Sequence, residues 1–171
     1  VLPDRQLVDG ERLEVGGWQL DVLHTPGHTP GHIAFVERRA RVVLTGDAVL
    51  PRITPNISAS PHAVDPLSDY LAALERVGTL GNLTGLPSHG AELPSTAIRA
   101  DEIREHHEEQ LRETLEIVEA GAETVRDVAE RMPWSRPWSA LPGYERRAAL
   151  GEAQAHLVAL ETRGVLVRVA E

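Results

Sequence analysis

Three histidines recur at four-residue intervals in His24-Thr25-Pro26-Gly27-His28-Thr29-Pro30-Gly31-His32. That spacing would put them on one face of a helix, but Pro26, Gly27, Pro30 and Gly31 disfavour a helix here. The segment reads instead as a stiff loop directly after a strand. Its prolines limit the conformations, its glycines permit sharp turns, and its imidazoles project. Such a loop preorganises metal ligands or an acid–base group at low entropic cost. Two further places share the layout. Residues 42–47 read as a buried strand ending in Gly46-Asp47, and Leu86-Pro87-Ser88-His89-Gly90 as a strand end carrying His89 between turn formers. Each places one polar group at the carboxyl end of a strand, the edge where open α/β sheets collect their chemistry. Histidine and aspartate suit Zn2+ and similar divalent ions, and an aspartate can bridge two of them. A single His beside Pro and Gly is commonly a solvated loop residue, and a Gly-Asp after a strand is commonly just a turn. The three sites together, in this order, carry the specificity.

The elements that must position these loops are short. Residues 12–15 and 18–23 flank Gly16-Gly17, a two-residue hairpin signal. Residues 33–37 and 41–44 read as two more strands, joined by a charged turn. Asp65 and Pro66 open a helix with an apolar stripe of Leu67, Tyr70, Leu71, Leu74 and Val77. Residues 83–86 form a weak strand before Pro87. Composition changes near residue 95, after which helical patterns and charge dominate. Ile103, His107, Leu111, Leu115 and Val118 make one stripe of a helix that Gly121 should stop. Thr124 and Asp127 are spaced as a capping box. A Pro- and Trp-containing linker follows, in which Trp134 and Trp138 are expected to pack an interface. The last helix faces Leu150, Ala153, Leu157 and Leu160 inward and ends at Gly164, and residues 165–169 alternate as a closing strand. Three helices followed by a short β element form a winged-helix pattern.

Composition narrows the classes. The chain has 171 residues, 42% hydrophobic and 25% charged, the values of a globular protein of one domain or of a small domain with a second appended. Its net charge is −9, from 26 acids against 17 bases, all of them Arg. That balance disfavours general affinity for nucleic acid or anionic membranes. Residues 101–171 hold 15 acids and 9 Arg, so the winged-helix pattern is expected to serve as a lid or dimerisation unit rather than a DNA reader. The absence of Cys excludes disulfides, thiolate nucleophiles and Cys-type zinc sites. No apolar run approaches the roughly 18 residues of a membrane span and no secretory leader is visible, which gives the expectation of a cytoplasmic protein. Val1, where Met would begin a gene product, gives the expectation of a fragment or a processed form.

The motifs Thr-Pro-Gly-His28-Thr-Pro-Gly-His32, Thr-Gly-Asp47 and Pro-Ser-His89-Gly resemble the carboxyl-terminal half of a metallo-β-lactamase-fold hydrolase. The run Gly46-Asp47-Ala-Val-Leu-Pro-Arg-Ile-Thr-Pro-Asn56, the helix after Asp65, the His106-His107 helix and Gly151-Glu-Ala-Gln-Ala-His-Leu157 resemble the β-lactamase-like branch with a winged-helix domain. The resemblance implies an α/β fold: half of an αββα sandwich over residues 1–100, then a three-helix winged-helix-like domain over 101–171. It implies two zinc ions in the complete enzyme. His28 would ligate the first, catalytic Asp47 would bridge both, and His89 would ligate the second. His32 would stand behind the ligands. Apart from the resemblance, the loop of residues 47–65, carrying Arg52 and Asn56, is expected to contact an anionic substrate, and His107 reads as a hydrogen-bonded core histidine or, in the sharper reading, as support for the centre or a substrate contact. The reaction implied is hydrolysis of an ester, thioester or phosphodiester of a small-molecule substrate by a zinc-bound hydroxide. The family's largest motif, His-x-His-x-Asp-His, is not in this chain. The chain alone is therefore expected to hold a partial or empty site, to bind zinc weakly and to be inactive. A missing half or a dimer mate is expected over one open sheet face. Ser88 stands where the superfamily most often has Gly. His24, His62 and His156 carry no role from the resemblance. Two other readings stand beside this one: a winged-helix binding module with a vestigial metal site, and a nuclease of the same fold.

Overall fold

The protein was analysed as a computed structural model that describes residues 3–59 and 61–169. Five strands, β1 (Arg12–Val15), β2 (Trp18–His24), β3 (Ile33–Glu37), β4 (Val42–Gly46) and β5 (Thr84–Pro87), form one sheet in sequential order. β1 to β4 are an antiparallel meander, whereas β5 runs parallel to β4 after a helical crossover. The hairpin turn is the expected one: Gly16 and Gly17 both take positive φ, the conformation a tight two-residue turn needs. The parallel pairing matters most for function, because it brings the carboxyl ends of β4 and β5, with Asp47 and His89 just beyond them, to the same edge.

The crossover helix α1 (Pro66–Gly78) starts as its sequence dictates. The Asp65 side chain accepts from Ser68 N at 3.0 Å, and Pro66 occupies the first turn, where its missing N–H leaves no helical bond unmade. Its stripe of Leu67, Tyr70, Leu71, Leu74 and Val77 is buried. α2 (Thr96–Glu119) is capped by Ser95, at the point where composition shifts, and runs through position 100 without a break. α3 (Val125–Arg131) carries the reciprocal Thr124–Asp127 cap. α4 (Gly143–Thr162) follows a linker with one 3-10 turn, Trp138–Ala140. Trp134 and Trp138 pack with Val128, Met132 and Ala153 in a small core between α3 and α4, and Trp134 Nε1–H donates to Ala129 O at 2.7 Å. The main core joins Val49 and Ile57, the α1 stripe, Ile103 and Leu111 of α2, and Ala155, Ala159 and Leu160 of α4. Segments on both sides of residue 100 therefore share one apolar interior.

The two faces of the sheet differ. Ala34, Val36 and Val43 pack with Leu23, Leu80 and Leu83 on one side. On the other, Phe35, Leu44 and Leu86 lie in register across three strands, with Leu44 39% and Leu86 40% exposed. No helix among the described residues is long and apolar enough to cross a membrane.

One expectation is corrected. Residues 165–169 are not a strand. Gly164, at φ +71°, ends α4, and the N–H groups of Val165 and Leu166 turn back onto Leu160 O at 3.0 and 3.3 Å. Leu166 packs beneath the main core, while Val167 is 86% exposed. Alternation alone cannot make a strand without a second one to satisfy its backbone groups. Among the described residues, no strand follows β5, so the three helices carry no β wing.

Candidate metal centre

The His-rich loop connects β2 to β3 and is closed at its base by Thr25 N–H donating to His32 O at 2.9 Å. Gly27 lies so close to the backbone of Tyr70 in α1 that a Cβ there has no room, which fixes the loop against the helix. His24 Nε2–H donates to Pro30 O at 2.8 Å and stiffens the loop further. Within this frame His28 Nδ1 lies 2.9 Å from Asn56 O. A carbonyl only accepts, so Nδ1 carries the hydrogen and Nε2 is the free lone pair. That is how a histidine ligand is oriented, by occupation of its other nitrogen. His28 Nε2 faces Asp47 Oδ2 at 4.0 Å.

Asp47 is aimed by its neighbours. Gly46, at φ +55°, makes the turn out of β4, and a Cβ on it would come within 2.6 Å of His32 Nε2. Glycine serves here both for its left-handed backbone and for the space it leaves. Asp47 N–H donates to His32 Nε2 at 3.1 Å, so His32 carries its hydrogen on Nδ1, which donates to Thr25 Oγ1 at 2.7 Å. Burial, reinforced by the neighbouring His28, holds the His32 imidazole below its ordinary pKa. With both nitrogens committed, His32 holds the Asp47 backbone in place. Ser88 N–H ties the β5 loop to Gly46 O at 3.1 Å, and Ser88 Oγ donates to Asp47 Oδ1 at 2.5 Å. His89 Nε2 stands 3.4 Å from the same oxygen, on a side chain 73% exposed. Ser88 does not adopt a left-handed backbone, so serine fits where glycine is commoner in the family.

His28, Asp47 and His89 thus meet at one carboxylate, with an imidazole beside each oxygen. The donor chemistry fits a divalent ion of the zinc type. The number of donors falls short: among the described residues, no group of three or more His, Asp or Glu side chains closes around a single point. The three are arranged around Asp47 rather than converging on one ion.

The remaining predicted residues lie elsewhere. Arg52 is exposed on the wall of a cleft of about 480 Å³ shared with Ile53, His106, Trp134 and Glu152. Asn56 gives its carbonyl to His28 and turns its amide toward α4. His107 is fully buried among Tyr70, His106 and His156, with ring centroids at 5.6 Å, and among the described residues neither ring nitrogen has a partner at good hydrogen-bond geometry. Burial above all pushes His107 down to about 3, so it is a neutral core ring. The hydroxyls of Ser88 and Thr25 were not picked out from the sequence. The one usable signal for them was that each adjoins a histidine in a turn, and for Ser88 that it replaces a glycine.

The sequence profile of the Metallo-beta-lactamase superfamily matches residues 2–89. The Beta-lactamase-like protein 2 homolog of Caenorhabditis elegans is 28% identical over 159 residues, 92% of this chain and 50% of that protein. Hydroxyacylglutathione hydrolase GloC of Haemophilus influenzae is 49% identical over 49 residues, 28% of this chain and 23% of that protein. The crystal structure of a beta-lactamase domain protein from Burkholderia ambifaria superposes with a TM-score of 0.86 at 33% identity, over 99% of this chain and 50% of that one. The chain spans half or less of the length of these relatives. That last match runs through all four helices as well as the sheet, so the helical region accompanies the sheet in both proteins. With the strand-end loops inside the matched residues, this chain belongs to the metallo-beta-lactamase superfamily.

Proposed function

We propose that this chain is part of a binuclear zinc-dependent hydrolase acting on an ester, thioester or phosphodiester. In it His28, Asp47 and His89 would hold the metal, His28 and His89 serving different ions and Asp47 shared between them. The observation that carries the reading is a single carboxylate with an imidazole beside each of its oxygens. The likeness to a relative named as a hydrolase supports it. A divalent ion at such a place supplies Lewis acidity and makes water a nucleophile near neutral pH. The chain's own residues prepare the site. Asn56 O keeps the Nε2 lone pair of His28 directed at Asp47, His32 holds the Asp47 backbone, and the Ser88 hydroxyl fixes the carboxylate rotamer. Arg52 engages an anionic part of the substrate from the cleft wall.

The remaining ligands come from the half of the relatives' length that this chain does not span, which covers the Phe35, Leu44 and Leu86 face; a second copy is the other candidate for that face. α2 to α4 serve as support rather than as a nucleic-acid reader. Arg163 is paired with Glu108 and Arg168 with Glu161, which leaves that end of the helices little free positive charge. The test is a zinc-loaded protein extended to the relatives' length, assayed on thioester and phosphodiester substrates. Turnover is expected, to be abolished by Asp47→Ala and to show a raised KM in Arg52→Ala; an unchanged KM would remove Arg52 from substrate binding. The 171-residue chain alone is expected to bind Zn2+ weakly and to turn nothing over. Micromolar zinc affinity with turnover by this chain would contradict that expectation.

A further inference from the structure

We infer that α4 is a strut for the metal centre: through Gly151 and Glu152 it fixes the segment around Asn56 whose carbonyl sets the tautomer of His28. Several polar groups of that segment are anchored. Asn56 Nδ2–H donates to Glu152 Oε2 at 3.1 Å and to Ala148 O at 3.3 Å, while Asn56 Oδ1 accepts from Ser58 Oγ at 2.5 Å. Ala59 N–H donates to Gly151 O at 3.3 Å. Ile57, between these anchors, is fully buried in the main core. The Asn56 carbonyl is thereby held 2.9 Å from His28 Nδ1 by a helix about 90 residues further along the chain.

Gly151 shows how closely the strut is applied. A glycine inside a helix costs roughly 1 kcal/mol relative to alanine, so helix propensity argues against it here. Close approach explains it: a Cβ on Gly151 would stand 2.5 Å from Ser58 Oγ and 2.9 Å from Ser58 Cβ. α4 gives up local helix stability so that the 56–59 segment can lie directly on it. A carbonyl fixed in this way selects the Nδ1–H form of His28 and leaves Nε2 for Asp47, whereas a mobile carbonyl would select neither form. Gly151 and Glu152 touch neither His28 nor Asp47 and act through Asn56 as positioning residues. The geometry stands without a metal; its consequence for catalysis rests on the hydrolase reading above.

The test uses this chain with 15N-labelled imidazoles, free of metal and at alkaline pH, followed by titration with Zn2+ alone. Wild type and Glu152→Gln, whose amide oxygen still accepts from Asn56, are expected to show His28 as the Nδ1–H tautomer. Glu152→Ala is expected to give a tautomer mixture and to weaken Zn2+ binding by roughly 10–100-fold, the usual cost of losing an outer-shell partner. Gly151→Ala adds a helix former, so α4 keeps its helicity in circular dichroism while the His28 signal still moves. An unchanged His28 tautomer in both Glu152→Ala and Gly151→Ala overturns the strut. So does a Glu152→Gln variant as disturbed as Glu152→Ala. If the tautomer shifts but zinc affinity does not, the strut stands and the assignment of His28 as a metal ligand fails.

Discussion

At the strand ends, His24, His28 and His32 each donate a ring N–H, to Pro30 O, Asn56 O and Thr25 Oγ1 respectively. Between α1, α2 and α4, and among the described residues, His107 has no partner of good hydrogen-bond geometry on either nitrogen, and His156 uses only Nδ1–H, toward Glu152 O at 2.9 Å. The first group shows imidazoles made directional by bonds to their rings, and in His28 one nitrogen is occupied so that the other faces Asp47. The second shows imidazoles made neutral, since burial lowers the pKa of both His107 and His156, and their rings are used for packing, His107 against Tyr70 and His156 against His107. A residue type that reads as chemistry in sequence is an anchored strand-end group in one place and core in the other. What separates the two is whether solvent and hydrogen-bond partners reach the ring.

The comparison is broken most sharply by exchanging the damage. Asp47→Ala is expected to reduce Zn2+ affinity more than the roughly 100-fold that marks loss of an outer-shell partner. Its unfolding free energy should change by about 1 kcal/mol, the usual worth of the hydrogen bond it loses with Ser88. His107→Ala should do the reverse, losing about 2–4 kcal/mol in urea unfolding through the cavity it leaves, with zinc affinity unchanged. Equal effects of the two variants on either quantity would erase the distinction.

Acid titration comes next in size. Unfolded histidines take up protons near pH 6.5, while folded His107 does so only near 3. The unfolded state therefore binds more protons between those values. Stability is complete above about 6.5 and falls as pH drops, by up to about 1.4 kcal/mol per pH unit for one such group. His107→Phe, which keeps a ring against Tyr70 and removes the titration, should flatten this limb in pH-dependent urea unfolding. Glu152 acts in the opposite sense. Desolvation pushes its carboxyl up to about 7 against the hydrogen bond from Asn56. Its protonated form favours folding fully below about 4.5, and that contribution is lost as pH rises through 7. Glu152→Gln should thus gain stability over wild type more at pH 8 than at pH 4.5.

Gly46→Ala is a smaller perturbation. A left-handed residue forced against His32 is expected to cost about 1–3 kcal/mol, read by thermal unfolding. Smallest of all, Arg163→Ala removes an exposed pair with Glu108 and should cost less than about 1 kcal/mol. Weak duplex-DNA binding should be the same in wild type and Arg163→Ala; strong, salt-dependent binding lost in the variant would return the helices to nucleic-acid recognition.

Features written in a few neighbouring residues were legible from the sequence. The Gly16-Gly17 turn, the Asp65–Pro66 start of α1 and the Thr124–Asp127 cap each depend on contacts within one turn of chain. The strand-end loops were legible too, because Pro, Gly and His reveal a rigid polar loop without reference to its surroundings. The wing predicted at residues 165–169 was not legible, because a strand is defined by its partner and the sequence shows only alternation. The bond of His28 to Asn56 spans 28 residues and that of Asn56 to Glu152 spans 96, so neither leaves a local signature. His107 sits on the α2 stripe as expected, but its full burial depends on α1 and α4 closing over it.

The claim that Asp47 joins two ion sites is tested most directly by anomalous diffraction at the zinc edge, on crystals of the protein extended to its relatives' length. The account predicts two peaks flanking Asp47, one toward His28 Nε2 and one toward His89 Nε2. A single ion drawing His28, Asp47 and His89 together, or zinc bound only at His106 and the helices, would contradict it.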